Sequence, residues 1–174
     1  MRSVTLMVLF LLCTISVFSQ KKARTSPDWT TLEEAEKKLK NNNIPVLIDL
    51  YTDWCGWCKV MDRKTWSDPQ VRSYLQANFT PVKINAESPK SIVWNNEQYR
   101  WQPNQRTHEF ALFMAGPRLS YPTLVIIPAA GEAPQAIPGY LKPRELEPIL
   151  KYFGEGHWKK IDFPTFHKTF NSSW

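Results

Sequence analysis

Apolar residues recur along this chain with two different periods, and segments of the two kinds alternate. Continuous or alternating apolar runs, which are typical of strands, occupy residues 45–51, 79–85, 123–127 and 134–138. Helical spacing of apolar residues occupies residues 31–41 and 55–64, the segment that opens at Asp68-Pro69, and residues 143–153. This order predicts an α/β fold in which helices flank a mixed central sheet.

Two regions depart from the alternation. Residues 86–120 place large aromatic side chains among polar residues and proline breaks, and we interpret them as one or two helices that form an insertion. The aromatic residues of this insertion either pack structurally or provide a substrate-recognition surface. Residues 154–174 are also rich in aromatic side chains, which is unusual for a disordered tail, so we expect a docked C-terminal extension.

The first twenty residues predict a secretory signal peptide. Arg2 supplies a positive charge, residues 6–18 are almost uninterruptedly apolar, and a cleavage site near Ser19 or Gln20 follows. The apolar stretch is too short to span a bilayer comfortably. Cys13 lies within it, but it follows Leu12 rather than the small residue that lipidation requires. We therefore expect residues 21–174 to form one periplasmic or secreted domain.

The charge of the chain does not favour nucleic acid as a partner. There are 22 Lys and Arg against 16 Asp and Glu, for a formal net charge of +6. The basic residues are scattered rather than concentrated on one face, as a nucleic-acid-binding surface requires. We expect a mildly basic monomer whose partners are proteins.

Cleavage of the leader would leave Cys55 and Cys58 as the only cysteines. A bridge between them closes so small a loop that it adds little stability, which favours a redox role over a structural one. A zinc site needs four ligands, and none of the three histidines (His108, His157 and His167) has ligand spacing to the pair. We expect no metal and no cofactor other than the redox-active disulfide itself.

The position of the pair suggests a role for each sulfur. Cys55 falls at the predicted start of a helix, where unpaired N–H groups and the helix dipole stabilise a thiolate. Cys58 lies one turn further on and is predicted to be the less exposed sulfur, which resolves a mixed disulfide formed at Cys55. Gly56 is expected to allow a tight turn between them, and Trp54 to shield one side of the pair.

Residues 48–59 resemble the active-site strand and helix of the thioredoxin superfamily. Residues 61–71 are similar to secreted bacterial thioredoxin-like proteins related to the periplasmic electron-delivering domain of the transmembrane disulfide reductases. The resemblance covers about residues 28–153 without the insertion. It implies a thioredoxin fold and a thiol–disulfide oxidoreductase.

The resemblance also implies further site residues. Asp49 matches a buried acid that exchanges a proton with the second cysteine, and Lys83 matches the lysine beside that acid. Both could instead be ordinary paired residues of the core. Tyr121-Pro122-Thr123 looks like the cis-proline loop of the family. We expect substrate to bind at this loop and at the residues within and beside the Cys pair, which are Trp54, Gly56 and Trp57.

The CxxC sequence leaves the direction of electron flow open. Trp57 stands where thioredoxins have proline, and reduction potentials in this fold range from about −270 to about −120 mV. We predict a protein-disulfide reductase that a membrane electron donor re-reduces. The alternatives are a disulfide oxidant or isomerase, a non-catalytic partner-binding or chaperone module, and a metallochaperone.

Overall fold

The computed structural model describes residues 26–174, so the predicted signal peptide and Cys13 lie outside the described residues. The strands are β1 (Val46–Tyr51), β2 (Thr80–Asn85), β3 (Ile92–Trp94), β4 (Glu97–Tyr99), β5 (Trp101–Gln102), β6 (Thr107–His108), β7 (Thr123–Ile127) and β8 (Gln135–Pro138). The α-helices are α1 (Leu32–Asn42), α2 (Gly56–Met61), α3 (Pro69–Asn78), α4 (Glu109–Ala115), α5 (Pro143–Gly154) and α6 (Phe163–Thr169). Across residues 26–174, no helix combines the length and the apolar character that crossing a membrane requires.

A four-stranded mixed sheet in the order β2-β1-β7-β8 forms the centre of the fold, as predicted. β1 pairs in parallel with β2 and antiparallel with β7. One face of the sheet packs against α1 and α4, and the other packs against α2, α3 and α5. Because β1 is buried on both faces, its sequence is almost continuously apolar.

Alternate residues of β1 contribute to opposite faces of the sheet. Ile48 and Leu50 belong to the core beneath α1 and α4, whereas Leu47 belongs to the core beneath α2, α3 and α5. Since side chains two positions apart share a face, Asp49 lies on the same side as Leu47. The one acidic residue of the central strand therefore faces the layer that contains the helix of the two cysteines.

The helix that carries Cys58 does not end at Lys64 as an α-helix. α2 ends at Met61 and continues without a break into a π-helical turn over Asp62–Trp66. π-helical turns are uncommon and are frequently found at functional sites. This turn places Asp62 and the fully buried Trp66 near the site described below. The predicted helix start at Asp68-Pro69 is confirmed, since Asp68 caps α3.

The prediction of a helical insertion over residues 86–120 is wrong for most of its length. The segment forms two hairpins, β3–β4 and β5–β6, and then the single short helix α4. Asn95 and Asn96 have φ values of 53° and 64°, the left-handed conformation that a two-residue hairpin turn requires. Trp94 and Tyr99 on the two strands both pack on Phe110 of α4, so this ring cluster joins the first hairpin to the helix.

The C-terminal extension packs onto the face formed by α3 and α5. Trp174 contacts Tyr74 of α3 at a ring-centroid distance of 5.8 Å. Glu147 of α5 is completely buried, and its carboxylate accepts hydrogen bonds from Ser172, Ser173 and the backbone N–H of Trp174. These contacts attach the last residues of the chain to the domain.

Candidate active site

Cys55 and Cys58 form a disulfide at the junction between β1 and α2. Their sulfurs are 2.09 Å apart and their Cα atoms 5.3 Å apart. Cys55 is the N-cap of α2, and its Sγ accepts a hydrogen bond from the backbone N–H of Cys58 at 3.0 Å. Each residue is 3% exposed, so the expectation that Cys58 would be the more buried of the two is wrong. As N-cap, the Cys55 sulfur lies at the end of the helix where negative charge is favoured.

Gly56 does not have the conformational role that the sequence suggested. It is the first residue of α2, its φ lies outside the left-handed region, and an added Cβ would meet no atom within 4 Å. The turn from β1 into the helix is instead held by the backbone hydrogen bond from Cys55 N to Thr52 O at 3.2 Å. Gly56 thus keeps the surface beside Cys55 free of a side chain.

Asp49 is 2% exposed and has two hydrogen-bond donors. Its Oδ2 accepts from Lys83 Nζ at 2.8 Å and from Trp66 Nε1 at 3.0 Å. Burial raises the pKa of Asp49 above its usual value of 3.8, although Lys83 and Trp66 act in the opposite direction. A carboxyl group with a raised pKa can accept and return a proton closer to neutral pH.

Lys83 is shared between two carboxylates. Its Nζ pairs with Asp49 and also with Oδ1 of Asp62, whose side chain is 45% exposed. The same Nζ lies 4.8 Å from the ring centroid of Tyr51 and 5.4 Å from that of Trp29, both distances typical of cation–π contacts. Burial by itself lowers the pKa of Lys83, but the two carboxylates outweigh it and raise the pKa above its usual value. Lys83 therefore stays protonated beside Asp49.

Two aromatic pairs connect the CxxC segment to loops on the other side of the site. Trp54 meets Tyr121 edge to face at 5.9 Å, and Trp57 stacks on Tyr140 at 5.5 Å. Trp54 and Trp57 remain 64% and 62% exposed, so the CxxC segment presents apolar surface to a partner. The ring of Trp54 contacts Tyr121, and the shielding of the cysteine pair by Trp54 stays a prediction.

The loop at residues 121–123 lies beside this surface. The Tyr121–Pro122 peptide bond is cis, as the resemblance implied. Pro122 is buried, and its carbonyl accepts a hydrogen bond from Gly139 N at 2.8 Å. Thr123 is also buried, with its hydroxyl donating to Ser120 O at 2.7 Å, so its side chain stabilises the loop rather than presenting a polar group to a ligand.

Sequence reasoning missed four residues of this site: Trp29, Asp62, Trp66 and Tyr140. Asp62 and Trp66 had a sequence signal, because both lie in residues 61–71 and Asp62 follows Cys58 by four residues, one helical turn. Trp29 and Tyr140 come from separate segments that meet in the folded protein. In residues 26–174, no cluster of three or more His, Cys, Asp or Glu side chains could hold a metal ion.

Comparison with known proteins agrees with this geometry. Residues 32–154 match the family model described as a thioredoxin-like domain. A thioredoxin-fold protein from Helicobacter pylori superposes with a TM-score of 0.54 at 16% identity, covering 76% of this chain and 88% of that one. At this identity the superposition shows the fold alone.

Sequence relatives include two proteins named thiol:disulfide interchange protein DsbD. The protein from Photorhabdus laumondii is 31% identical over 98 residues, which is 48% of this chain and 17% of the relative. The protein from Citrobacter koseri is 48% identical over 81 residues, which is 38% of this chain and 14% of the relative. The chain thus spans less than a fifth of the length of these relatives.

Proposed function

The chain belongs to the thioredoxin-like family, and on that premise we propose that it is an exported thiol–disulfide oxidoreductase that reduces disulfide bonds in other proteins. One observation carries the proposal: the Cys55–Cys58 disulfide lies where β1 meets α2, and the Asp49–Lys83 pair occupies the sheet face beneath that helix. A nucleophilic sulfur and a buried proton acceptor are the two groups that stepwise disulfide reduction needs.

The reaction begins with the reduced protein. The Cys55 thiolate attacks one sulfur of the substrate disulfide, the substrate S–S bond breaks, and one substrate thiolate leaves and takes a proton from water. Cys58 then loses its thiol proton and attacks Cys55 Sγ. The bond between Cys55 and the substrate breaks, the second substrate thiolate leaves, and the Cys55–Cys58 disulfide forms. Two electrons have passed from the protein dithiol to the substrate.

Asp49 is the proton acceptor for the second step. An ionised carboxylate takes the Cys58 proton and later releases it, and the raised pKa of Asp49 brings its proton affinity closer to that of a thiol. Lys83 is a positioning residue, because its ammonium group holds the Asp49 carboxylate in one orientation on the face of the cysteine helix. The indole N–H of Trp66, in the π-helical turn that follows α2, donates to the same Asp49 oxygen.

A reductase that works outside the cytoplasm must be reduced again after each cycle. We infer a membrane-bound dithiol donor, which attacks the Cys55–Cys58 disulfide by the same exchange chemistry and is itself oxidised to a disulfide. The relatives named thiol:disulfide interchange proteins support this pairing. The predicted leader supports a periplasmic location.

The test is the redox equilibrium of the Cys55–Cys58 pair with glutathione. We expect a reduction potential below about −180 mV, the isomerase value, because a reductant must have the lower potential. A higher potential would show an oxidant or an isomerase. In the native compartment, Cys58→Ala should accumulate mixed disulfides through Cys55, whereas Cys55→Ser should accumulate none. If Cys55→Ser still retains the same partners as the unmodified protein, the chain is a binding module instead.

A further inference from the structure

His108, the last residue of β6, is a buried titratable group that the proposed reaction does not use. It is fully buried, and both of its ring nitrogens are hydrogen-bonded. Nδ1 accepts from the backbone N–H of Phe110 at 3.1 Å, and Nε2 donates to the carbonyl of Lys90 at 3.0 Å. Because an amide N–H only donates and a carbonyl only accepts, these two bonds fix the neutral ring with its proton on Nε2.

The bond at Nδ1 caps the start of α4. His108 is the N-cap residue of this helix, and its ring nitrogen takes the place of the side-chain oxygen that caps most helices. Protonation would add an N–H group at Nδ1, which would then face the backbone N–H of Phe110. Two donors cannot form a hydrogen bond, so the charged ring has to give up the cap. The cap therefore exists only while His108 is neutral.

The surroundings of the ring favour its neutral form. Burial lowers the pKa of His108 below its usual value of 6.5 and outweighs the Lys90 carbonyl and the Glu109 carboxylate, which act in the opposite direction. Glu109 is itself engaged, because it accepts from the backbone N–H of Arg100 and from the side-chain amide of Gln102. The segments next to the ring carry four further charged side chains, those of Glu87, Lys90, Arg100 and Arg106.

A hydrogen bond connects this end of β6 to the cis-proline loop. Thr107 directly precedes His108, and its hydroxyl lies 3.2 Å from that of Tyr121. The ring of Tyr121 in turn meets Trp54, the residue before Cys55, edge to face. Because β6 consists of two residues only, the ring bonds of His108 contribute much of what holds Thr107 in place. The protonation state of His108 can thus reach the CxxC segment through two contacts.

We propose that His108 is a pH-sensitive positioning residue, which holds Thr107 against Tyr121 while its ring is neutral and releases both when the ring is protonated. In acid the protein then attacks disulfides more slowly than the titration of its thiols alone requires. The effect on rate rests on the proposed function, whereas the coupling of His108 to Tyr121 can be measured without it.

Nitrogen NMR of the full chain measures the coupling directly. The ring nitrogens of His108 should show the neutral Nε2–H form at pH 7.5 and lose it with a midpoint below pH 6.5. The amide signals of Thr107 and Tyr121 should shift with the same midpoint. In His108→Asn, whose side-chain oxygen can cap α4 at every pH, both amide signals should stay in place. His167→Asn replaces an exposed histidine of α6 and should titrate like the unmodified protein.

Single-turnover reduction of a peptide disulfide by the pre-reduced protein measures the effect on the reaction. At each pH, the rate constant of the unmodified protein is divided by that of His108→Asn, which cancels the titration of the thiols. We expect this ratio to fall about fivefold between pH 7.5 and pH 4.5, the factor that loss of an N-cap bond typically costs. Thr107→Val removes the hydroxyl through which His108 acts and should be slower at pH 7.5, and Thr107→Ser should restore the rate.

The outcomes separate the role of His108 from the underlying reaction. If the unmodified protein reduces no disulfide, the proposed function fails and the NMR titration alone decides the inference. If the Tyr121 amide does not follow the titration of His108, or if the rate ratio is independent of pH, the inference is wrong and the reductase stands. If His108→Asn does not fold, the rate ratio of the unmodified protein to Thr107→Val replaces it. That ratio should fall towards one in acid, and a constant ratio would overturn the inference.

Discussion

Lys83 Nζ lies 2.8 Å from Asp49 Oδ2, and the two residues are direct register partners on the parallel strands β2 and β1. The pairing places a cation beside a carboxylate that is almost completely buried on the face of the cysteine helix. Lys83 also binds Asp62, which is half exposed. One ammonium group thus connects a buried acid of the candidate site to an acid at the surface.

Asp49→Asn should raise the stability of the oxidised protein at neutral pH. The folded-state pKa of Asp49 is raised above 3.8, so the stability that this group contributes is full below the unfolded pKa and is lost as pH rises through the folded value. An asparagine at this position does not ionise, so its contribution to stability does not fall as pH rises. Urea unfolding should show that Asp49→Asn increases the free energy of unfolding more at pH 7 than at pH 4. An equal increase at both pH values would contradict the raised pKa of Asp49.

The same substitution should slow the second chemical step. In the proposed mechanism, removal of the carboxylate takes away the proton acceptor of Cys58, and general-base catalysis of this kind contributes about a hundredfold or more. Release of a peptide from the mixed disulfide at Cys55 should therefore fall by about that factor in Asp49→Asn. Glu97→Gln, an exposed hairpin position, is the matched control and should leave the release rate unchanged.

Asp62→Asn should lower the pKa of Asp49. The negative charge of Asp62 is one of the influences that raise this pKa, after the larger effect of burial. Removing it should move the pH midpoint of mixed-disulfide resolution to lower pH. Carbon NMR titration of the Asp49 carboxyl group measures the shift directly, and a midpoint that stays in place or rises would refute the coupling through this charge.

Thr52→Val should stabilise the protein. Thr52 is 1% exposed, and its hydroxyl has no hydrogen-bond partner among the residues that the structure describes. A buried unpaired hydroxyl costs about 1–3 kcal/mol, so we expect the free energy of unfolding to rise by about 1 kcal/mol. Thr123→Val is the matched control: its equally buried hydroxyl donates to Ser120 O, and its loss should destabilise the fold. Urea denaturation of both variants distinguishes the two cases.

Glu147→Gln should weaken the attachment of the C-terminal extension. Hydrogen bonds from Ser172 and Ser173 and the ion pair with Lys151 outweigh the cost of burial and lower the pKa of Glu147 from 4.5 to about 2. The stabilisation is therefore present above pH 4.5 and is lost as pH falls towards about 2.

We expect Glu147→Gln to reduce the free energy of unfolding by about 2 kcal/mol at pH 6, with a smaller reduction at pH 3. Hydrogen exchange at the amides of Ser173 and Trp174 should accelerate in the same variant. Glu132→Gln, an exposed carboxylate in the turn after β7, should change neither measurement. A difference that does not shrink at pH 3 would contradict the role of the ionised carboxylate.

The central fold and the reactive pair were predictable because their signals are local. The run over residues 45–51 predicts a strand buried on both faces, and the spacing of Cys55 and Cys58 places both at the start of a helix. The helical prediction for residues 86–120 was wrong because it rested on the number of aromatic residues rather than on their spacing. The Asn95-Asn96 turn and the alternation around it are the short-range signals for a hairpin.

The sequence by itself determined the α/β order and the dithiol at the strand–helix junction, and its resemblance to the thioredoxin superfamily singled out Asp49 and Lys83. Tertiary structure alone decided that Lys83 joins Asp49 to Asp62, that Tyr121 meets both Trp54 and Thr107, and that Trp57 stacks on Tyr140. Each of these contacts joins residues from separate elements. Residue spacing predicts the conformation of one element, but which side chains meet depends on how the elements pack around the shared core.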